Sequence, residues 1–319
     1  MTTILSRIKA ATLSALPKAY KTTIWLLKII IPISLLVSIL HYVGVIDIIA
    51  HYLSPVFSVV GLPGEAAIVF ITSIFLSLYA PIAIIATLPL DARDVVILAV
   101  MCLIAHNMIV ETAVQSKTGS SYAGMFILRI VSAFVAAFFL NLLLPKEVDK
   151  AVIAGKAVIY ESFWSMLADW GVGTLWLILK VVLIISGLMI LQNILKEFKI
   201  LDVISKSLAP LMTGMGLPRS CSFLWFVAHI LGLTYGAAVL IDAVENNELS
   251  RHDANLLNHH IAVNHSTLED TLLFVAIGVP VLWMIIPRFI LAILIVWIVR
   301  FLYAVGFRKE KTLPRSVRF

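Results

Sequence analysis

The sequence predicts an all-α polytopic membrane protein made of two homologous helical repeats, each with a short broken or re-entrant helix. Three observations lead there. Of its 319 residues, 61% are hydrophobic and the mean hydropathy is +1.04, well above the roughly 45–50% apolar usage of soluble domains. Apolar runs at 24–46, 66–90, 95–114, 123–144, 175–195, 221–241 and 281–304 reach the ~20 residues that cross ~30 Å of hydrocarbon. Finally, Asp47, Leu53, Pro55, Gly61, Leu62 and Pro63 recur at one constant offset as Asp202, Leu208, Pro210, Gly216, Leu217 and Pro218. A duplicated apolar unit with matching polar positions is the pattern of transporter-like folds.

Taken in order, residues 1–21 read as an amphipathic cytoplasmic segment. Ile4, Leu5, Ile8, Leu13 and Leu16 alternate there with Arg7, Lys9 and Lys18, and no small-residue cleavage site follows a short apolar core. The first repeat covers 22–145. It holds a long span, the short segment 47–60 ending in Gly61-Leu62-Pro63, and three further apolar runs. Gly followed by Pro stops a helix and permits a sharp turn. Residues 146–171 form a charged linker with Lys146, Glu147, Asp149, Lys150, Lys156, Glu161 and Asp169; its helix-spaced Val152, Ile159, Phe163 and Leu167 predict an interfacial location. The second repeat covers 172–307 and repeats the order, its short segment 202–214 ending in Gly216-Leu217-Pro218. A basic cytoplasmic tail, 308–319, closes the chain.

The net charge of +6 sits mostly at the two ends, which places both termini in the cytoplasm by the positive-inside rule and argues against a nucleic-acid partner. Two short-helix readings stay open: a tilted crossing, or re-entry shielded from lipid. If the short helix crosses, each half spans the membrane an odd number of times and the halves are inverted. Lys117, Lys196, Lys199 and Arg251 then lie inside. If it re-enters, the linker moves inside and Lys117, Lys196, Lys199, Lys206 and Arg219 crowd the outside. The charge bias nearly balances between the two, and inversion is the favoured expectation. It places a binding site near the midplane between the repeats. Cys102 and Cys221 fall in apolar segments at non-corresponding positions, so they read as small core residues rather than a disulfide or metal motif.

Gly61-Leu62-Pro63-Gly64-Glu65 after a short helix, followed by Leu103-Ile104-Ala105-His106-Asn107-Met108-Ile109-Val110-Glu111, resembles the nucleoside recognition or Gate domain family, in two tandem copies. That family is similar to the spore maturation proteins A and B and to the membrane part of the ferrous iron transporter B. The resemblance covers nearly all of the chain outside the termini and linker. It implies a bacterial inner-membrane, multi-pass protein. No Gly-x-x-x-x-Gly-Lys-Ser/Thr occurs, so a nucleotide-driven pump is disfavoured.

The polar residues inside these spans are the candidates for chemistry. Asn107 and Glu111, one helical turn apart beside His106, share a face. An ionisable group at that depth costs at least ~2.5–3.5 kcal/mol, so it faces a cavity or a partner; the competing reading puts Glu111 at the span end, relieved by headgroups. In the second half, His252, Asn255, Asn258, His259, His260, Asn264, His265, Glu269 and Asp270 make a stretch too polar for lipid. Asn264 repeats Asn107 and Glu269 repeats Glu111, with Ile261-Ala262-Val263 answering Ile104-Ala105-His106. Substrate-binding residues are therefore assigned as His106, Asn107, Glu111, Asn264, His265 and Glu269. Imidazole and carboxylate at His265 and Glu269 could share a metal ion. The first half keeps only His106, however, and no cysteine joins, so no metal or cofactor is assigned. Arg129 and Arg288, at matching positions about two turns into the last spans, are expected to pair with Glu111 and with Glu269 or Asp270, the alternative being anchorage to lipid headgroups.

The function expected is a transporter or channel-like protein moving a small polar solute, nucleoside-like or a metal cation, through a site between the repeats. The alternative is a non-transporting envelope component of the sporulation type. Partners are the lipid bilayer, the solute or ion, and a second copy or another membrane protein. An intramembrane hydrolase is disfavoured because neither a nucleophile nor a complete ligand set is identifiable.

Overall fold

A computed structural model describes residues 4–145, 160–230 and 232–306, and no strand occurs among them. The C-terminal tail and most of the linker lie outside the described residues. The helices of the first half are α1 (Ile4–Tyr42), α2 (Val45–Ser58), α3 (Ala66–Phe75), α4 (Tyr79–Ile85), α5 (Ala92–Ile104), α6 (Met108–Lys117) and α7 (Tyr122–Leu143). Those of the second are α8 (Phe163–Glu197), α9 (Ile200–Gly214), α10 (Ser222–Ile230), α11 (Gly232–Glu245), α12 (Arg251–Val263), α13 (Glu269–Val275) and α14 (Val281–Ala304). Helix α1 carries both the N-terminal amphipathic stretch and the first apolar run without interruption, and α8 begins inside the stretch read as linker.

Among the described residues, four stretches are long and apolar enough to cross a membrane: Ala92–Lys117, which joins α5 and α6, and the helices α7, α8 and α14. The end of α1 with α2 adds a fifth, bent by 91°. Their surroundings differ. In Ala92–Lys117, 83% of the apolar window is buried inside the protein, and every residue from Val95 to Ile104 is buried. A helix that is apolar all round belongs in the middle. Helices α7 and α14 instead turn Ile127, Val131, Phe138, Phe139, Ile290, Leu294 and Trp297 outward, the surface that lipid covers. The inward face of α7 is made of Ser132, Ala133, Ala136 and Ala137. Small residues let helix backbones approach where no hydrophobic effect drives them together, and α7 packs on α5 there.

Helices α1 and α8 lie side by side and run in opposite directions. Arg7 meets Glu197 at 2.8 Å, Ser14 Oγ meets Asn193 at 3.2 Å, and Ser34 Oγ accepts from Trp170 Nε1 at 3.2 Å, so ascending numbers on one meet descending numbers on the other.

The Gly-Leu-Pro stretches end α2 and α9 in the same way. Gly61 and Gly216 have φ of 75° and 77°. The Leu62 and Leu217 amides reach back to Phe57 O and Met212 O at 3.0 and 2.8 Å, while the Gly61 and Gly216 amides reach Ser58 O and Thr213 O at 3.0 and 3.1 Å. These are paired Schellman motifs, which need a left-handed residue after the helix. The last span of each half ties its turn down: Arg93 donates to Asn141 beside Gly61, and Arg300 Nη1 donates to Gly216 O at 3.0 Å.

Several apolar runs do not form single helices. The run 66–90 breaks between α3 and α4, 95–114 breaks at 105–107, and 221–241 divides into α10 and α11. Ser77 stands at the first of these breaks and His106 with Asn107 at the second, but averaged over an apolar window they do not mark an interruption. Their backbone groups are satisfied inside the protein, as the absence of water at that depth demands. In the first half the Asn107 amide donates to Ser73 O at 2.8 Å and to Leu76 O at 3.0 Å. In the second, the Ser266 amide donates to Ala228 O at 2.9 Å and the Leu268 amide to His229 O at 3.1 Å. Each half therefore pins one broken helix pair against another, and at each pin a non-glycine residue, Asn107 or Ser266, has φ of 46°.

Candidate functional site

The two pins meet, and His106 stands against His265. His106 Nδ1 lies 3.0 Å from Cys102 O and His265 Nδ1 lies 2.7 Å from Ile261 O, each carbonyl four residues earlier on the helix that ends there. A carbonyl can only accept, so each Nδ1 carries a proton and each Nε2 is the nitrogen turned toward the other ring. Those Nε2 atoms are 3.4 Å apart, with ring centroids at 5.0 Å. Carboxylates surround them. Glu111 Oε1 is 3.3 Å from His106 Nε2, Glu111 Oε2 is 3.4 Å from His265 Nε2, and Asp270 Oδ2 is 3.4 Å from His106 Nε2. All four residues are buried, His265 completely.

Arg129 braces this cluster from α7. Its Nε donates to Ile104 O at 2.7 Å and its Nη2 to His106 O at 2.8 Å, carbonyls that the end of α5 leaves without helical partners. Its Nη1 lies 2.7 Å from Glu111 Oε2 without the alignment of a hydrogen bond, so that attraction is between charges. One fully buried guanidinium thus closes the break and holds the carboxylate. Arg288 behaves otherwise. It donates to Met284 O at 2.8 Å and to Thr271 Oγ1 at 3.1 Å, and neither Glu269 nor Asp270 comes within 4.0 Å of it as an ion pair among the described residues. Asp270 acts on Arg288 through charge at longer range, while the direct contacts of Arg288 are the Thr271 hydroxyl and the Met284 carbonyl.

The other sequence-derived candidates spread around this centre. Asn107 is half-buried and takes the left-handed turn between α5 and α6. Asn264 is fully buried, accepts from Thr267 Oγ1 at 3.3 Å, and leaves its Nδ2 without a partner. Glu269 is half-buried and faces Gly232; its neighbour Asp270 is the carboxylate that reaches the histidines. Repeat alignment pairs His106 with Val263 and Glu111 with Glu269, and so misses both the opposed imidazoles and Asp270. The available signal was the local sequence Asn264-His265, an imidazole one step after the repeated asparagine rather than one before it as in His106-Asn107.

A second polar seam joins α6 to α12. Asn258 Nδ2 donates to Thr118 Oγ1 and Ser120 Oγ at 2.9 Å and to Gln115 O at 3.2 Å, while Gln115 Nε2 returns a bond to Asn258 O at 3.3 Å. Ser120 Oγ donates to Asn255 Oδ1 at 2.6 Å, and Asn255 Nδ2 to the Tyr303 hydroxyl at 2.7 Å. This seam fastens one half to the other beside the cluster. Asn258→Leu preserves volume but removes the donor that Thr118 Oγ1, Ser120 Oγ and Gln115 O share in a dry interface, which costs about 1–3 kcal/mol. A lowered midpoint of thermal unfolding in detergent, with the helical spectrum at low temperature unchanged, is the expected result.

The arrangement offers converging acceptors, two imidazole nitrogens and two carboxylates, walled off from lipid. It can hold a cation, pass a proton, or accept hydrogen bonds from a polar solute.

Two comparisons with known proteins bear on this geometry. The Gate family, described as nucleoside recognition, matches residues 23–139 and 178–302. The chain is also 34% identical over 295 residues to the Bacillus subtilis (strain 168) protein named uncharacterized membrane protein YvoD, covering 90% of this chain and 93% of that one. No solved structure matches. The first matched segment holds His106, Glu111 and Arg129, and the second holds His265, Asp270 and Arg288. This multi-pass membrane protein belongs to the Gate, or nucleoside recognition, family.

Proposed function

We propose that the protein is a transporter or channel-like protein of the bacterial cytoplasmic membrane, not an enzyme, with both termini in the cytoplasm. It moves a small polar solute through a sheltered site between two membrane halves, 22–145 and 172–307. The observation that carries this reading is the buried cluster of His106, Glu111, His265 and Asp270, built where the broken helices of one half meet those of the other. Buried ionisable groups at membrane depth are costly, and broken helices are tolerated there only against protein or a polar path. The antiparallel course of α1 and α8, the leading helices of the two halves, supports an inverted arrangement with its site at the midplane.

The test is uptake by proteoliposomes holding the full chain, with radiolabelled nucleosides and divalent cations supplied in turn. Flux above protein-free vesicles is expected for one class. It should fall to background in Asp270→Asn, which keeps the shape of the side chain and removes its charge. Absence of flux for every solute, together with tight co-purification of an envelope protein, would sink this reading in favour of a non-transporting role.

A further inference from the structure

We propose that His106 Nε2, His265 Nε2 and Asp270 Oδ2 form a binding site for one divalent first-row transition-metal cation, bridging the two halves of the protein. Its binding stands on the geometry below; only the ion's movement rests on the transport reading above.

The three ligand atoms all lie within 4.8 Å of one another, and the His106–His265 and His106–Asp270 separations are both 3.4 Å. Bonds of about 2.0–2.2 Å from such a cation to imidazole nitrogen and carboxylate oxygen place adjacent ligands about 3.3 Å apart at a tetrahedral angle. Two of the three pairs already stand at nearly that spacing, and the third, His265 with Asp270, lies within 4.8 Å. Two nitrogens and one carboxylate on one side of an ion, with further positions open, are a donor set that suits the transition series, whereas magnesium and calcium favour oxygen alone.

Orientation points the same way. Both Nδ1–H groups are anchored on backbone carbonyls, the outer bond that fixes the tautomer of a metal-ligating histidine and aims its other nitrogen. With both rings neutral, two lone pairs face each other across 3.4 Å. Asp270 Oδ2, buried and without a hydrogen-bond partner, faces the same space. Acceptors do not attract one another; something positive must lie among them. Arg129 is already engaged with Glu111 and two carbonyls, and no lysine or arginine pairs with Asp270 among the described residues. A single shared proton could satisfy one nitrogen and one acceptor at a time, while a metal ion satisfies all three ligands together.

The ligands come from both halves, His106 from the break after α5, His265 from the break after α12 and Asp270 from the first turn of α13. Binding should thus also tighten the junction between them, since any ligand of the folded state stabilises it.

The experiment uses full-length protein, purified without a histidine tag and loaded with Co(II). One Co(II) per chain with visible d–d absorption is expected, bleached by Zn(II) and indifferent to Mg(II). The absorption should vanish in His265→Gln and in Asp270→Asn and persist in His229→Gln, whose imidazole bonds to Trp225 O outside the cluster. Pulsed electron paramagnetic resonance of the Cu(II)-loaded unmutated protein should register two imidazole nitrogens, a readout independent of whether the variants fold. Failure of Co(II) to bind, absorption unchanged in both ligand variants, or a Cu(II) spectrum without imidazole nitrogen would each overturn the site. Co(II) binding without Co(II) flux in vesicles upholds the site and removes only movement of the ion; nucleoside flux with no metal bound does the reverse.

Discussion

Replacing Arg129 with methionine is expected to be among the most damaging single changes in this protein, costing about 3–5 kcal/mol. The guanidinium is completely buried and serves three acceptors: Ile104 O, His106 O and the Glu111 carboxylate. Methionine fills much of the space but leaves two carbonyls and one carboxylate facing a dry interior. Lysine should rescue poorly, because a single ammonium cannot reach in the planar, forked geometry that joins a helix end to a carboxylate. The measurement is thermal unfolding of detergent-solubilised protein by loss of monodisperse material. Combining Arg129→Met with Glu111→Gln removes the stranded carboxylate along with its partner, so the double variant should be more stable than the summed single losses indicate. Additive losses would mean that Arg129 acts only as a helix-end cap. Arg288→Met is the comparison, expected to cost less because its contacts are its own helix carbonyl and a hydroxyl that can turn elsewhere.

The contrast between these arginines marks how far the amino-acid pattern reaches. Their matching positions and the depth of their spans leave two readings, a carboxylate partner or anchorage to lipid headgroups, and the structure buries both. Glu111 is one expected partner of Arg129, and the two lie 2.7 Å apart. What Arg288 touches does not follow, because it depends on the rotation of α13, a seven-residue helix whose direction is set by the break before it. Averaged hydropathy passes over the breaks, since Ser77, or His106 with Asn107, is outweighed by the apolar residues on either side. They exist because carbonyls and amides find partners on the opposing broken helix, a nonlocal condition. For the same reason the opposed histidines escape a repeat alignment, which places His106 over Val263. The duplicated glycines, by contrast, are legible, since a left-handed turn after a helix is a local demand.

Gly64→Ala is expected to remove about 3 kcal/mol, the upper end of the cost of overpacking, although alanine is the smallest possible addition. A Cβ at residue 64 would fall on the carbonyl oxygen, carbonyl carbon and Cα of Ala50 in α2. Those are backbone atoms, so no rotamer change relieves the overlap; α2 must move, and with it the turn that fixes its end. The corresponding residue of the second half is Arg219, which is exposed. Backbone-to-backbone docking of the short helix is therefore a feature of the first half alone, and α9 cannot approach its turn in the same manner. Arg219→Ala should change stability by no more than about 0.5 kcal/mol, as exposed positions do. Gly216→Ala falls between the two. Its φ of 77° costs an L-residue about 1–2 kcal/mol, but the atoms its Cβ would meet, Val296 Cγ1 at 3.0 Å and the ring of Trp297 at 3.3 Å, belong to side chains that can give way. Unfolding midpoints ranked Gly64→Ala lowest, then Gly216→Ala, then Arg219→Ala near the unmutated protein test this order. A Gly64→Ala protein as stable as the parent would mean that α2 is not seated on the turn, and that the short helix of the first half is held instead by its right-angle junction with α1.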